Sequence, residues 1–171
     1  MDRHTIIQNI LRVLLLLLLQ LIVLDNVSLS NILVPNILIL FVLMLPTSIR
    51  RIPMLLIAFA TGLLLDICSN LLGVQALSFT VVAMARILFA DRLLLRNEPI
   101  DIERPSIKSV TFQQFALYSL LLLIIYFTCY ILLEVFSFHN IWMNILAIVL
   151  NVAVSWVLII IYQLLLIHEG D

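Results

Sequence analysis

The sequence predicts an all-α fold: a polytopic membrane protein that forms a compact bundle of six transmembrane helices. Apolar residues make up 64% of the 171 residues and charged residues 11%, whereas a soluble domain is near half apolar and a quarter charged. The mean hydropathy is +1.25. Six windows are each long and apolar enough to cross a bilayer, which takes about 20 residues of helix. These observations exclude a soluble globular fold.

The predicted spans cover residues 6–24, 32–48, 54–72, 74–95, 112–136 and 141–167, in a single integral membrane domain over residues 1–171. The first span is not a cleavable signal peptide, because its apolar core is too long and no small-x-small site follows it. The connectors are short except for residues 96–111, which are polar and carry two prolines. Alternatively, the third span ends at Ser69-Asn70 and a short re-entrant-like turn follows it up to Gly73.

The positions of the basic residues predict the orientation. All nine Lys and Arg residues lie near the amino terminus, at the junction of the second and third spans, or from the end of the fourth span through its connector. The connectors 25–31, 69–73 and 137–140 contain none. By the positive-inside rule both termini are cytoplasmic, which agrees with six spans. The net charge of −1 gives no indication of a nucleic-acid partner.

Asp66 is the most informative residue, because it lies in an apolar span between Gly62 and Gly73. A carboxylate inside a bilayer is costly and usually functional, and small residues let a second helix approach closely. A structural role (protonated, or capped by Ser69 or Asn70), contact with a partner or ligand, and a proton relay are all open. Our working hypothesis is that Asp66 engages a partner.

Polar and small residues lie on one face of several spans when the sequence is plotted at 100° per residue. We expect these faces to hydrogen-bond between helices and hold the bundle together. We expect Arg12 and Arg86 to snorkel to the interface or to form an ion pair, for example with Asp91. The faces contain Ala58, Gly62, Asp66, Ser69 and Asn70 in the third span; Gln75, Ser78 and Arg86 in the fourth; Ser119, Tyr126, Tyr130 and Glu134 in the fifth; and Asn144, Ala147, Asn151, Ser155 and Tyr162 in the sixth.

No arrangement of residues typical of catalysis is found. His4, His139 and His168 lie at ends or interfaces, and Cys68 and Cys129 lie in apolar runs without histidine neighbours. Metal-binding and phosphate-binding motifs are absent from the sequence. We therefore predict a protein that is not an enzyme and uses no cofactor or metal.

The central third of the sequence contains a series of short motifs: Pro35-Asn36, Arg50-Arg51 with Pro53, Gly62-Leu63-Leu64-Leu65-Asp66, Leu72-Gly73 and Ala76-Leu77. Through these motifs, roughly residues 34–92 resemble the rod shape-determining MreD family. The turn after Asp66 departs from the family pattern, because Ser69, Asn70 and Leu71 replace the glycine or proline often found there. The resemblance marks Pro35, Asn36, Gly62, Asp66, Gly73 and Arg86 as candidate residues for partner binding or functional packing.

The resemblance implies a non-catalytic scaffold of the cell-elongation (Rod) complex in the bacterial inner membrane. The implied partners are MreC, MreB, and RodA with its class B penicillin-binding protein, besides membrane lipid. The bundle of that family is also similar to the S components of energy-coupling-factor transporters. The alternative is therefore a small-molecule (vitamin-like) binding S component of an ABC-type transporter. Those components dock through alanines spaced by four on the first helix, and the first span here contains no alanine.

Overall fold

The computed structural model describes residues 16, 20, 33–46, 49–94, 111–135 and 141–168. In these residues all regular secondary structure is helical. The described helices are α1 (Ile39–Leu43), α2 (Arg51–Ser69), α3 (Val74–Leu94), α4 (Phe112–Val135) and α5 (Ile141–His168). By length and composition α2, α4 and α5 are each able to cross a membrane, whereas the apolar part of α3 is the shorter stretch Val74–Phe89. The chain is therefore a helical membrane protein.

The four long helices lie close to four of the predicted spans. α3, α4 and α5 begin at the predicted residues and end within one residue of the predicted ends. α2 begins three residues earlier than predicted, since Pro53 fits the first helical turn, where its missing N–H has no intrahelical acceptor. α2 ends at Ser69 because Asn70 adopts a left-handed conformation with φ of 54°. The predicted first span lies outside the described residues, except for Leu16 and Gln20, which are both buried.

The prediction of one transmembrane helix over residues 32–48 is wrong. Residues 33–37 are not helical, and α1, which follows them, has only five residues. Residues 35–43 are all buried. Hydropathy cannot separate a segment that faces lipid from one enclosed by protein, and non-helical backbone at membrane depth is tolerated where protein encloses it. We call residues 33–46 the central segment.

The helices pack in chain order around the central segment. α2 packs on α3, α3 on α4 and α4 on α5, while α1 packs on α3. The order of the hydrogen bonds shows that α3, α5 and the central segment run in one direction and that α4 runs in the opposite direction. Asn36 and Leu45 of the central segment bond to Gln75 and Arg86 of α3, and Asn36 and Met44 bond to Ser155 and Gln163 of α5, so the residue numbers rise together. On α4 the numbers fall instead, because Asn36 bonds to Tyr126 and Arg86 of α3 bonds to Tyr118.

Candidate functional site

Side chains of other elements hydrogen-bond several backbone groups of residues 34–37, in the non-helical part of the central segment. On α5, Asn151 Oδ1 accepts the N–H of Val34 at 2.6 Å, and Ser155 Oγ accepts the N–H of Asn36 at 2.9 Å. We expected the polar face of the sixth span to bond between helices. The two buried residues of this face, Asn151 and Ser155, instead accept backbone N–H groups of the central segment. These N–H groups have no helical acceptors, because the segment is not helical at residues 33–37.

Gln20 bonds the central segment from another direction. Its Nε2 donates to the carbonyl of Pro35 at 2.9 Å, and its Oε1 accepts the N–H of Ile37 at 3.0 Å. One amide group thus satisfies both a donor and an acceptor of the extended backbone. Gln20 is not among the residues predicted from the sequence, although it is the only polar residue among residues 13–24. A lone amide in such an apolar run is the signal that would have identified it.

The side chain of Asn36 connects the central segment to α3 and α4. Its Nδ2 donates to Gln75 Oε1 at 3.1 Å and to the Tyr126 hydroxyl at 2.7 Å. The Tyr126 hydroxyl donates in turn to Gln75 Oε1 at 3.0 Å, which closes a triangle of buried polar groups. Asn36 Oδ1 accepts the N–H of Leu38, the residue at the start of α1. The Asn36 side chain therefore joins the central segment to α3 and α4.

Asp66 caps the helix that follows its own. The side chain is 1% exposed, and its two oxygens accept the N–H groups of Gln75 at 3.0 Å and Ala76 at 2.8 Å. These are among the first N–H groups of α3, which have no intrahelical acceptor, and a carboxylate is favoured at the positive end of the helix dipole. Ser69 and Asn70 do not cap the side chain: the N–H of Asn70 bonds to the backbone carbonyl of Asp66.

Gly62 lies where the backbones of α2 and α3 touch. A Cβ atom at Gly62 would lie 2.6 Å from Ala76 Cα and 2.7 Å from the Gln75 carbonyl oxygen, closer than real Cβ contacts. Gly73 has a different role, since nothing lies within 4 Å of a Cβ built there, but its φ of 81° favours glycine. The two glycines therefore permit the close approach of the helices and the sharp turn between them.

Arg86 does not snorkel, because its side chain is 1% exposed. Nε donates to the Tyr118 hydroxyl at 3.0 Å, Nη1 donates to Met54 Sδ at 3.2 Å, and Nη2 donates to the carbonyl of Leu45. These three acceptors in the described residues are uncharged. The side chain of Asp91 lies outside the part of the chain that the structure describes, as does Arg12. Arg86 of α3 therefore connects the carboxyl-terminal end of the central segment to α2 and α4.

The candidate residues divide into two groups. Pro35, Asn36, Gly62 and Asp66 lie around the first turn of α3, with Gly73 just before it, whereas Arg86 lies eleven residues after Gln75, or about 17 Å along α3. Within the described residues, every buried side-chain nitrogen and oxygen has a hydrogen-bond partner, and no group of three His, Cys, Asp or Glu residues is placed to hold a metal ion. Cys68 and Cys129 are free thiols.

Comparisons of this chain with family models, with curated proteins and with solved structures found no match.

Proposed function

We propose that this protein is a non-catalytic membrane scaffold of the bacterial cell-elongation (Rod) complex, required for rod shape and for regulated lateral peptidoglycan synthesis. The resemblance of residues 34–92 to the MreD family supports this proposal. The structural observation that carries it is the way the described interior is filled. The chain's own central segment lies at the centre of the bundle and is hydrogen-bonded there from several sides.

Solute transporters use the same structural features for a different purpose. In many of them, unwound backbone and the ends of broken helices bind the substrate or the coupling ion near the bilayer midplane. Here the amino-terminal end of α3 binds the Asp66 carboxylate, and the carbonyl of Leu45 binds the Arg86 guanidinium. The positions where a transporter would bind an anion and a cation are thus filled by side chains of the chain itself.

This internal pairing favours the scaffold over the small-molecule binding subunit. A solute in the centre of the bundle would have to replace hydrogen bonds of Asn36, Asn151 and Ser155, and each buried polar group left unpaired costs about 1–3 kcal/mol. A firmly packed interior instead gives the outer helix faces a constant geometry, which a scaffold requires. Many of the outer residues on α2 and α5 are large and apolar, and such faces suit contact with lipid or with the transmembrane helices of partners.

The proposed partners follow from the resemblance and from the predicted orientation. We expect MreC and the RodA–penicillin-binding protein pair to contact this protein within the membrane and outside it. MreB would contact it from the cytoplasm. The exposed Arg50 and Arg51 at the start of α2 belong to the proposed cytoplasmic side. We place the protein in the inner membrane with both termini in the cytoplasm.

Co-purification from native membranes tests the proposal. An affinity-tagged copy that restores rod shape to cells depleted of their own MreD would be solubilised in mild detergent, and the bound proteins would be identified by mass spectrometry. We expect recovery of MreC and of RodA with its penicillin-binding protein, above the level obtained with an equally tagged, unrelated polytopic membrane protein. Recovery of ABC-type ATPases without MreC would instead establish the transporter subunit.

A further inference from the structure

α5 makes polar contacts along most of the length of the central segment. Among the described residues, α5 has three buried polar side chains, at positions 151, 155 and 163. All three bond to the central segment, in the pairs Asn151–Val34, Ser155–Asn36 and Gln163–Met44. One side of the central segment is therefore covered by α5 from near its beginning to near its end.

The unwound part of the central segment requires this cover. Non-helical backbone at membrane depth is tolerated only where protein encloses it, because lipid offers no hydrogen-bond partner. In the complete bundle, residues 35–43 are all buried. The N–H groups of Val34 and Asn36 depend on acceptors of α5, since residues 33–37 are not helical. Without α5 these two acceptors are lost, and one side of the segment faces lipid.

The sequence of the same segment permits a regular transmembrane helix. The hydropathy of residues 32–48 predicts a span. Pro35 falls in the first turn of such a helix, where its missing N–H has no intrahelical acceptor, and Pro46 lies near the end, where a helix commonly stops. Most N–H groups from residue 37 onward then bond to a carbonyl within the segment, and those of the first turn lie at the membrane boundary, where water is available. The helical form therefore satisfies its backbone without α5.

The order of synthesis separates the central segment from its acceptors on α5. Asn151 and Ser155 lie 117 and 119 residues after the backbone groups that they bond. The central segment is therefore made well before α5. During this interval the unwound form lacks the enclosure that it requires, whereas the helical form does not need it.

We propose that the central segment is a two-state element, which spans the membrane as a helix until α5 docks and unwinds when α5 covers it. The helix expected from the hydropathy of residues 32–48 is then the earlier state, and the unwound segment is the final one. α5 is the switch, because it supplies acceptors for the unwound backbone and excludes lipid from it. This inference does not depend on membership of the Rod complex, since it concerns only contacts within the chain.

Photo-crosslinking to lipid distinguishes the two states. A diazirine analogue of leucine would replace residues 37–43 one at a time in the full-length protein, made by cell-free synthesis with bacterial inner-membrane vesicles. Asn151→Leu with Ser155→Leu removes both acceptors of α5 and keeps the helix apolar. Ala153→Leu, at an exposed position between them, is the matched control. The same analogue at Leu56, which is 62% exposed on α2, verifies that lipid cross-links are detected.

In the unchanged chain and in Ala153→Leu, we expect lipid cross-links at residues 37–43 to be several-fold weaker than at Leu56. In Asn151→Leu with Ser155→Leu, we expect cross-links as strong as at Leu56, at positions that recur every three or four residues, as in a helix with one face towards lipid. Weak cross-links at all seven positions of this variant would overturn the proposal. Strong cross-links without the helical period would also overturn it, because the segment would then face lipid without forming a helix.

A second measurement follows the unchanged chain during its synthesis. Ribosomes stalled at increasing chain lengths would carry the same analogue at residues 37–43. Lipid cross-links should be strong in chains that are stalled before α5 enters the membrane, and they should fall several-fold once α5 is inserted. Cross-links that stay weak at every chain length, while Leu56 gives strong ones, would overturn the proposal.

Discussion

At the scale of single residues, the ionisable groups inside this bundle are bonded to backbone groups of other segments. Asp66 accepts two N–H groups of α3, and Arg86 donates to a carbonyl of the central segment. The working hypothesis that Asp66 engages a partner gains no support from this geometry, because the carboxylate is buried and both of its oxygens are used. Within a membrane no water replaces such partners, which makes these residues sensitive to substitution.

Replacement of Asp66 should reveal the strength of the cap. Asp66→Asn keeps one acceptor oxygen but turns an NH₂ group towards an N–H donor. We therefore expect a loss of about 1–2 kcal/mol of unfolding free energy, in the usual range for a lost helix cap. Asp66→Leu removes both acceptors and should cost more. The measurement is equilibrium unfolding in mixed micelles with Ile67→Leu, an exposed position on the same turn, as the control. Equal stability of Asp66→Leu and the control would refute the capping role.

Gly62→Ala should separate α2 from α3. The added methyl group would meet backbone atoms of Gln75 and Ala76, which cannot move aside as a flexible side chain can. We expect a loss of about 1–3 kcal/mol, as for overpacked cores, and a lower thermal midpoint of the purified protein. Ala60→Leu is the control, because Ala60 is exposed two residues away on α2. A variant Gly62→Ala as stable as the control would mean that the two helices are not in tight contact.

At the scale of elements, the central segment is the feature that organises the bundle. Its extended backbone is bonded by Gln20, Asn151 and Ser155, and Arg86 bonds its other end. A regular transmembrane helix bonds its own backbone, whereas this segment depends on side chains of other elements. Its position is therefore only as stable as those side-chain contacts.

Ser155→Ala is the most direct test of that dependence. The change leaves the N–H of Asn36 without its acceptor inside the protein, at a cost of about 1–3 kcal/mol. We expect lower stability and faster hydrogen–deuterium exchange in peptides that cover residues 33–38. Ala153→Ser alters an exposed position on the same helix and should change neither quantity. Unchanged exchange at residues 33–38 in Ser155→Ala would contradict the bonding pattern.

At the scale of the whole molecule, the distribution of charge and the lengths of the helices set the relation to the bilayer. Exposed Arg50 and Arg51 lie at the start of α2, at the end of the bundle opposite to the α2–α3 turn. α4 and α5 are longer than α2 and α3, and they extend beyond that turn. In the described residues the two ends of the bundle therefore differ: Arg50 and Arg51 lie at one end, and no lysine or arginine lies at the other.

Thiol labelling of intact cells should establish the orientation. In the protein without native cysteines, Asn140→Cys, just before α5, should react with a membrane-impermeant maleimide added outside. Arg50→Cys and Thr111→Cys should react only after the membrane is permeabilised, because basic ends remain in the cytoplasm. Labelling of Arg50→Cys in intact cells would show the opposite orientation. Labelling of all three cysteine variants in intact cells would contradict any single topology.

The sequence by itself determined the membrane class and the limits of α3, α4 and α5, and it identified Gly62 and Asp66 as candidate residues. Apolar length and the exceptional position of a carboxylate are local properties, so hydropathy and spacing are sufficient to find them. Only the tertiary structure decided that residues 33–37 are unwound, that Asp66 bonds Gln75 and Ala76, and that Asn36 meets Tyr126. These contacts join residues as many as 90 positions apart. Because a segment buried in protein and one buried in lipid are equally apolar, only the packing of the other helices shows which of the two surrounds the central segment.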